Sequence, residues 1–192
     1  RQANWERTDL EAVAVSAGPG SYTGLRIGVA TAKGICHALS IPLLAIDTLE
    51  LAAHGAAHLV NSDDVVIWPV LDARRMEVYV KPFRIDQGIW AAQSDAQAVD
   101  LEVGLPAGTG LTAHALICVG DAADKVKSLG VRADAQFLQQ DPDAVHASAL
   151  VERAEEVDLA YFEPRYLKAF QPGVPKDPLG LRAAALDPPS HA

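Results

Sequence analysis

The residues best placed to do chemistry lie in a glycine-rich run, Ala14-Val15-Ser16-Ala17-Gly18-Pro19-Gly20-Ser21-Tyr22-Thr23-Gly24-Leu25-Arg26-Ile27-Gly28. A glycine loop between a strand and a helix can bind phosphate through backbone N–H groups and the positive end of the helix. The spacing argues against a triphosphate cradle. A P-loop needs G-x-x-x-x-G-K-[ST], with the lysine on the terminal phosphates, whereas Gly24 here is followed by Leu25-Arg26. The dinucleotide pattern G-x-G-x-x-G starts at Gly18-Pro19-Gly20 but finds Thr23 in its last place, with Gly24 one position late. Pro19 also removes one N–H of the kind that binds phosphate. Two readings stay open. Ser21, Tyr22, Thr23 and Arg26 can contact an anion or nucleotide at a shared interface, or the loop is a tight turn in which Thr23 caps the following helix.

Other reactive residue types fall in less productive patterns. His54 and His58 have the i, i+4 spacing of zinc helices, but Gly55-Ala56-Ala57 lies between them and no glutamate. On a helix they point away from the apolar side and read as a solvent-facing pair. Cys36 and His37 are chain neighbours that diverge by about 100° on a helix, which forbids a hydrogen-bonded dyad. No G-x-S-x-G elbow occurs, so no nucleophile–base pair emerges. Asp72, Arg74 and Arg75 form a further polar cluster. Either Asp72 satisfies turn N–H groups beside two solvated arginines, or the arginines present bidentate donors to a carboxylate or phosphate on a partner.

These residues need an α/β framework. Residues 10–16 read as a short buried strand, and apolar spacing predicts a helix from about Ile27 to Leu39 with Val29, Ala32 and Cys36 on one face. Leu43–Ile46 reads as a second strand, and Asp47-Thr48-Leu49-Glu50 opens a helix that carries Leu49, Ala52, Ala53, Ala56 and Val60 on one side. Strand–helix–strand–helix order implies parallel pairing. Residues 61–64 are the expected lobe boundary, giving a first lobe at 1–62 and a second at 63–170. In the second, residues 65–71 and 76–83 form a predicted hairpin, with Pro69 and Pro82 suiting edge or bulged positions. Residues 86–110 read as loop, 116–119 as strand, and 121–129 and 143–156 as helices. Residues 171–192, rich in proline and alanine, read as a flexible tail.

Composition narrows the function class. The 192 residues carry 25 acids against 16 lysines and arginines, a formal net charge of −9. Autonomous nucleic-acid binding draws on a basic surface, so any work on RNA is expected to need a partner that supplies the grip. No apolar run reaches the ~18 residues of a membrane span. The polar start RQANWERTDLE lacks the apolar core of a secretory signal, and the two cysteines are far apart; both point to the cytoplasm.

The string from Ala17 to Ala53, with the blocks Asp72-Ala73-Arg74-Arg75-Met76-Glu77-Val78-Tyr79 and Tyr161-Phe162-Glu163-Pro164-Arg165-Tyr166-Leu167-Lys168, resembles the bacterial TsaB (YeaZ) family. That family belongs to the machinery making threonylcarbamoyladenosine next to the tRNA anticodon. The resemblance implies a two-lobed α/β fold of the actin-like ATPase, ribonuclease H-like type. It also implies a non-catalytic scaffold or dimerisation role beside a catalytic paralogue, TsaD, and an ATPase, TsaE, with tRNA engaged through the complex and a homodimer possible in isolation. ATP or ADP and metal are then expected in the partners and none on this chain alone. Aligned through Ile41-Pro42-Leu43, Thr48 and Ala52 stand where the paralogue carries two metal-ligating histidines, and neither can replace an imidazole. Relatives carry roughly fifty further residues ahead of the point matching Arg1, so the first lobe is expected to be incomplete, with open strand edges. The partner-facing surface is expected on the small-residue face Val29, Ala32, Cys36, Leu49, Ala52, Ala53, Ala56 and Val60, where a charge at Ala53 or Ala56 would break pairing without unfolding the chain. An autonomous actin-like ATPase or kinase, or a peptidase-like protein acting on its partner, remains the alternative.

Overall fold

The computed structural model describes residues 6–60, 64–104, 113 and 115–169. The expected tail at 171–192 and part of the expected lobe boundary, Asn61 to Asp63, lie outside them.

The first sheet is built around a crossover. Strands β1 (Val13–Ser16) and β2 (Leu43–Ile46) run parallel, with Val13 opposite Leu43 and Ser16 opposite Ile46. Parallel neighbours need a long connection, which helix α1 (Tyr22–Leu39) supplies. It begins five residues before the predicted start because Ser21, not Thr23, is the cap: its side-chain oxygen accepts the Gly24 N–H at 3.3 Å. Ser40, in the left-handed region at φ 54°, ends the helix, and Pro42 prevents its continuation.

The second sheet has β3 (Asp64–Asp72) at its centre. On one side β4 (Glu77–Val80) and β5 (Phe83–Asp86) pair antiparallel with β3 in a single register, interrupted at Lys81-Pro82 opposite Trp68-Pro69. The prolines therefore sit at a break in the ladder, although Pro69 belongs to the central strand and not to an edge. On the other side β8 (Ala115–Val119) runs parallel to β3, and β9 (Gln136–Leu138) parallel to β8. Residues 86–104, read as loop, contain two edge strands: β6 (Ile89–Ala92) on β5 and β7 (Gln97–Asp100) on β4. They are short and mostly exposed, which weakens any periodic signal.

Both faces of β3 are buried. Val66, Trp68 and Val70 pack with Val78, Val80, Cys118, Ala123 and Val126, the last two on the short helix α3 (Ala123–Lys127). Val65 and Ile67 pack with Phe83, Ile85, Ile117 and Val119, and against Ala53 of helix α2 (Thr48–Gly55) and Ala56 just beyond it. Alternation puts successive β3 residues on opposite faces, and a strand covered on both becomes a continuous apolar run.

The helix expected over 143–156 is absent. Asp143 opens a 3-10 turn, accepting the Val145 N–H at 3.0 Å, but only Leu150 of residues 143–154 is fully buried, so no apolar stripe anchors a longer helix. After a second turn at Val151–Arg153 the chain forms β10 (Glu155–Val157), antiparallel to β2. Residues 155–157 thus add a strand to the first sheet.

The residues expected on a partner face are turned into the chain's own core. Val29, Ala32 and Cys36 are buried on the α1 side that packs on the chain's own structure, with Ala32 and Cys36 against Leu43. Leu49, Ala52, Ala53 and Ala56 are 0–3% exposed, and half-buried Val60 packs on the second sheet. They are core side chains. Ala53→Asp should accordingly destabilise the chain by about 3 kcal/mol or more, since a carboxylate would be buried without a partner. A urea titration checks this; an undisturbed unfolding midpoint would contradict the packing.

Candidate functional site

The glycine loop ends up as an anchor for its own chain. Ala17 N–H extends the β1–β2 ladder to the Ile46 carbonyl at 2.8 Å. Thr48, at the start of α2, then holds the loop from both sides: its hydroxyl accepts the Gly18 N–H at 3.0 Å, and its own N–H donates to the Gly18 carbonyl at 3.0 Å. The same hydroxyl lies 2.5 Å from the Ser16 hydroxyl. From the other direction the Arg165 N–H donates to the Ala17 carbonyl at 2.7 Å. The approach is so close that a Cβ on Gly18, at φ +112°, would overlap the Arg165 carbonyl oxygen. Here glycine is required by the backbone beside it, not by a ligand.

The polar side chains beyond the loop are drawn toward the returning segment. The Tyr22 and Tyr166 rings pack with centroids 4.9 Å apart, Arg26 lies 4.2 Å from the centre of the Tyr22 ring, and its Nε donates to the Tyr166 hydroxyl at 3.3 Å. Thr23 and Ser21 are exposed, with Ser21 occupied as the cap. Between these residues and the β3–β4 turn lies a cleft of about 100 Å³, lined by Pro19, Gly20, Tyr22, Ala73, Arg74, Tyr79, Arg165, Tyr166, Leu167, Lys168 and Ala169. Two clusters flagged separately in the sequence, the glycine loop and Asp72-Ala73-Arg74-Arg75, thus face each other. Lys168 donates to Glu77 and to the Ala73 carbonyl, fastening the returning segment to the turn.

That turn is unusual. Arg74 and Arg75 have positive φ, 71° and 51°, conformations that cost non-glycine residues energy. The Asp72 carboxylate stabilises it by accepting the Arg74 N–H at 2.5 Å and pairing with Lys125 at 2.9 Å, while Lys125 also donates to the Arg75 carbonyl at 2.7 Å. Burial raises the Asp72 pKa, but the Lys125 hydrogen bond and the Arg74 N–H outweigh it and hold the carboxyl below its ordinary range. Asp121 accepts the Asp72 N–H at 2.8 Å, and its own carboxyl is pushed up by burial and by the neighbouring charges of Asp72 and Asp141. The turn-satisfying reading of Asp72 is therefore observed, and only Arg74 of the two arginines lines the cleft.

Comparison with known proteins gives this geometry a family. Bacillus subtilis TsaB, a tRNA threonylcarbamoyladenosine biosynthesis protein, is 42% identical over 81 residues, covering 42% of this chain and 34% of the relative. Escherichia coli TsaB is 34% identical over 97 residues, covering 50% of this chain and 41% of the relative. A family model described as TsaD, tRNA N6-adenosine threonylcarbamoyltransferase, matches residues 1–161. The chain belongs to this family, on its TsaB (YeaZ) branch. Its matched stretches span about a third and two fifths of the length of those two curated relatives.

Two solved structures from Pseudomonas aeruginosa share the architecture. YeaZ matches with a TM-score of 0.68 at 24% identity, covering 84% of this chain and 76% of that one. A protein described as similar to peptidase YeaZ matches at 0.68 and 26%, covering 85% and 76%. The fold is accordingly the actin-like, ribonuclease H-like α/β type of the family.

Thr48 and Ala52 have structural roles: Thr48 clamps the loop and Ala52 is buried. Among the described residues, no group of three or more His, Cys, Asp or Glu side chains is placed to share a metal ion. His54 does not face open solvent as the spacing suggested. It is half-buried, its ring stacked on Trp90 at 4.2 Å with Nε2 3.1 Å from an Arg153 nitrogen, while His58 Nδ1 lies 3.0 Å from the Gly55 carbonyl. Tertiary packing by β6, which the sequence reading missed, covers it.

Two outcomes follow from this geometry. Gly18→Ala should cost about 3 kcal/mol by forcing the loop away from Arg165, visible as a lowered urea midpoint; an unchanged midpoint would contradict the close approach. His54 is held below the ordinary histidine pKa by burial, then by the charges of Arg153 and His146. Its neutral form is favoured by folding, so its contribution is intact above about pH 6.5 and is lost as the pH falls from there through the lower folded-state value. Melting temperature should fall across that acid window in the wild type and fall less in His54→Phe; parallel pH profiles would contradict the assignment.

Proposed function

We propose that the chain is a non-catalytic scaffold subunit of the machinery forming threonylcarbamoyladenosine in tRNA, and that it works by presenting the outer face of α1 to a TsaD-like catalytic paralogue. The observation carrying this reading is the exposed stripe Thr23, Ile27, Ala30, Gly34 and Ala38, spaced three or four residues apart on the side of α1 opposite its buried face. Ile27 is 63% exposed, and adjacent Ile35 is 40% exposed. The stripe is otherwise made of small residues, and a Cβ added at Gly34 would meet nothing within 4 Å. Such a surface lets another helix approach closely, with dispersion contacts and apolar burial driving association. A stable pairing of this kind buries on the order of 1,600 Å².

The names of the TsaB relatives and the match to the TsaD family model support the pathway and the paralogous partner. A TsaE-like ATPase would join the assembly; nucleotide and metal would reside in the partners and tRNA would be gripped by the complex. A second copy of the chain would use the same α1 face when the paralogue is absent. No helix among the described residues is long and apolar enough to cross a membrane, in keeping with work on tRNA in the cytoplasm.

Ile27→Asp tests the surface. Sedimentation of the chain with the TsaD-like protein of the same organism should show association weakened by about tenfold or more, with the thermal unfolding of the free chain unchanged. Wild-type affinity in that variant would contradict the α1 assignment.

A further inference from the structure

We propose that a groove beside the outer face of α1, at Gly34, receives an aliphatic side chain from a partner helix that carries a carboxylate one turn away, and that Lys33 selects for that carboxylate. The inference rests on the α1 reading above and adds what the partner's matching surface must carry.

Shape provides the first argument. Lys33, Gly34 and His37 of α1 and Leu159 and Ala160 of the returning segment line a groove of about 380 Å³, open on its outer side. A Cβ added at Gly34 would meet nothing within 4 Å, so the helix leaves room there for a knob from another helix. The far wall is fixed before any partner arrives. The Asp158 carboxylate accepts the Ala160 and Tyr161 N–H groups at 2.8 and 3.1 Å, and the Asp158 carbonyl accepts the Phe162 N–H at 2.9 Å. Lys33 ties this turn to α1 by donating to the Ala160 and Phe162 carbonyls. A wall held in this way needs little further ordering on association. Tyr161, 85% exposed, stands on the same turn, and tyrosine is enriched among the residues that dominate binding.

Charge identifies the occupant. The chain has a formal net charge of −9, yet α1 carries Arg26 and Lys33 and no aspartate or glutamate. Among the described residues neither cation forms a salt bridge. Lys33 is held by two carbonyls, which leave its charge unneutralised. Positive charge beside an apolar groove complements an acid next to an aliphatic side chain, and on a helix such neighbours stand three or four residues apart. Helix α1 of a second copy offers no acid, and an isologous pair would bring Lys33 and Arg26 toward their own counterparts. The favoured occupant is therefore a helix of the TsaD-like paralogue.

Carbodiimide coupling of the full chain with the TsaD-like protein of the same organism, read by mass spectrometry, tests the contact. The reagent forms an amide between an ammonium and a carboxylate that touch, itself taking up the water released. A link from Lys33 to an aspartate or glutamate of the paralogue is expected. Lys33→Arg should keep the affinity and lose that link. Lys33→Glu should weaken association by about tenfold. Gly34→Met, which fills the groove with a good helix former, should weaken it by about tenfold with thermal unfolding preserved. Association weakened by Ile27→Asp but untouched by Lys33→Glu and Gly34→Met would leave the α1 reading standing and overturn this one. A Lys33 link found only between two copies of the chain, or none to the paralogue in a complex that forms, would also overturn it, and failure of the complex to form would overturn both readings.

Discussion

The structure depends on the meeting of three backbone segments at Gly18. The Thr48 hydroxyl and N–H fix the Gly18 peptide from the start of α2, while the Arg165 N–H fixes the Ala17 carbonyl from the returning chain. A residue with a Cβ could not occupy that crossing. Once those contacts form, the entry of α1, the start of α2 and the path of residues 165–169 are set relative to one another. A glycine-rich string that resembles a phosphate loop is thus consumed by the chain's own hydrogen bonds, which is how a buried polar backbone is ordinarily satisfied.

Two surfaces follow from that crossing. Helix α1 lies across the first sheet with its inner face buried, and its opposite stripe is left uncovered among the described residues. Residues 165–169 pass in front of the β3–β4 turn and line a cleft together with Arg74. Lys33 reinforces the arrangement by donating to the Ala160 and Phe162 carbonyls at 3.1 and 3.0 Å, which ties α1 to the same returning segment. The outer α1 stripe and the cleft therefore share one mechanical support.

Much of this was legible in the residue order. Strand β2 was placed to the residue because Pro42 and Asp47 bracket it, and the parallel crossover followed from strand–helix alternation. The central hairpin was visible in the valine-rich runs around Asp72. What escaped had physical reasons. Strands β6, β7 and β9 are three or four residues long and largely surface-lying, too short for an alternating pattern to stand out. The alanine-rich face of α2 was misplaced because small apolar spacing looks the same whether a partner or the chain's own second sheet covers it. Only the position of β3 beneath Ala53 and Ala56 decides the matter. The Asp72 cluster was recognised as polar, but left-handed backbone at Arg74 and Arg75, and with it the choice of which arginine enters the cleft, has no signature in residues that usually avoid it.

Because the buried and exposed faces of α1 assign opposite roles to neighbouring residues, the decisive measurement is amide hydrogen exchange across this helix with and without the TsaD-like protein. Slowed exchange along residues 23–38 in the complex, with β3 and β8 unchanged, is the result expected of a chain that functions through the outer α1 face. Unaltered exchange in α1, with protection confined to the second sheet, would contradict it.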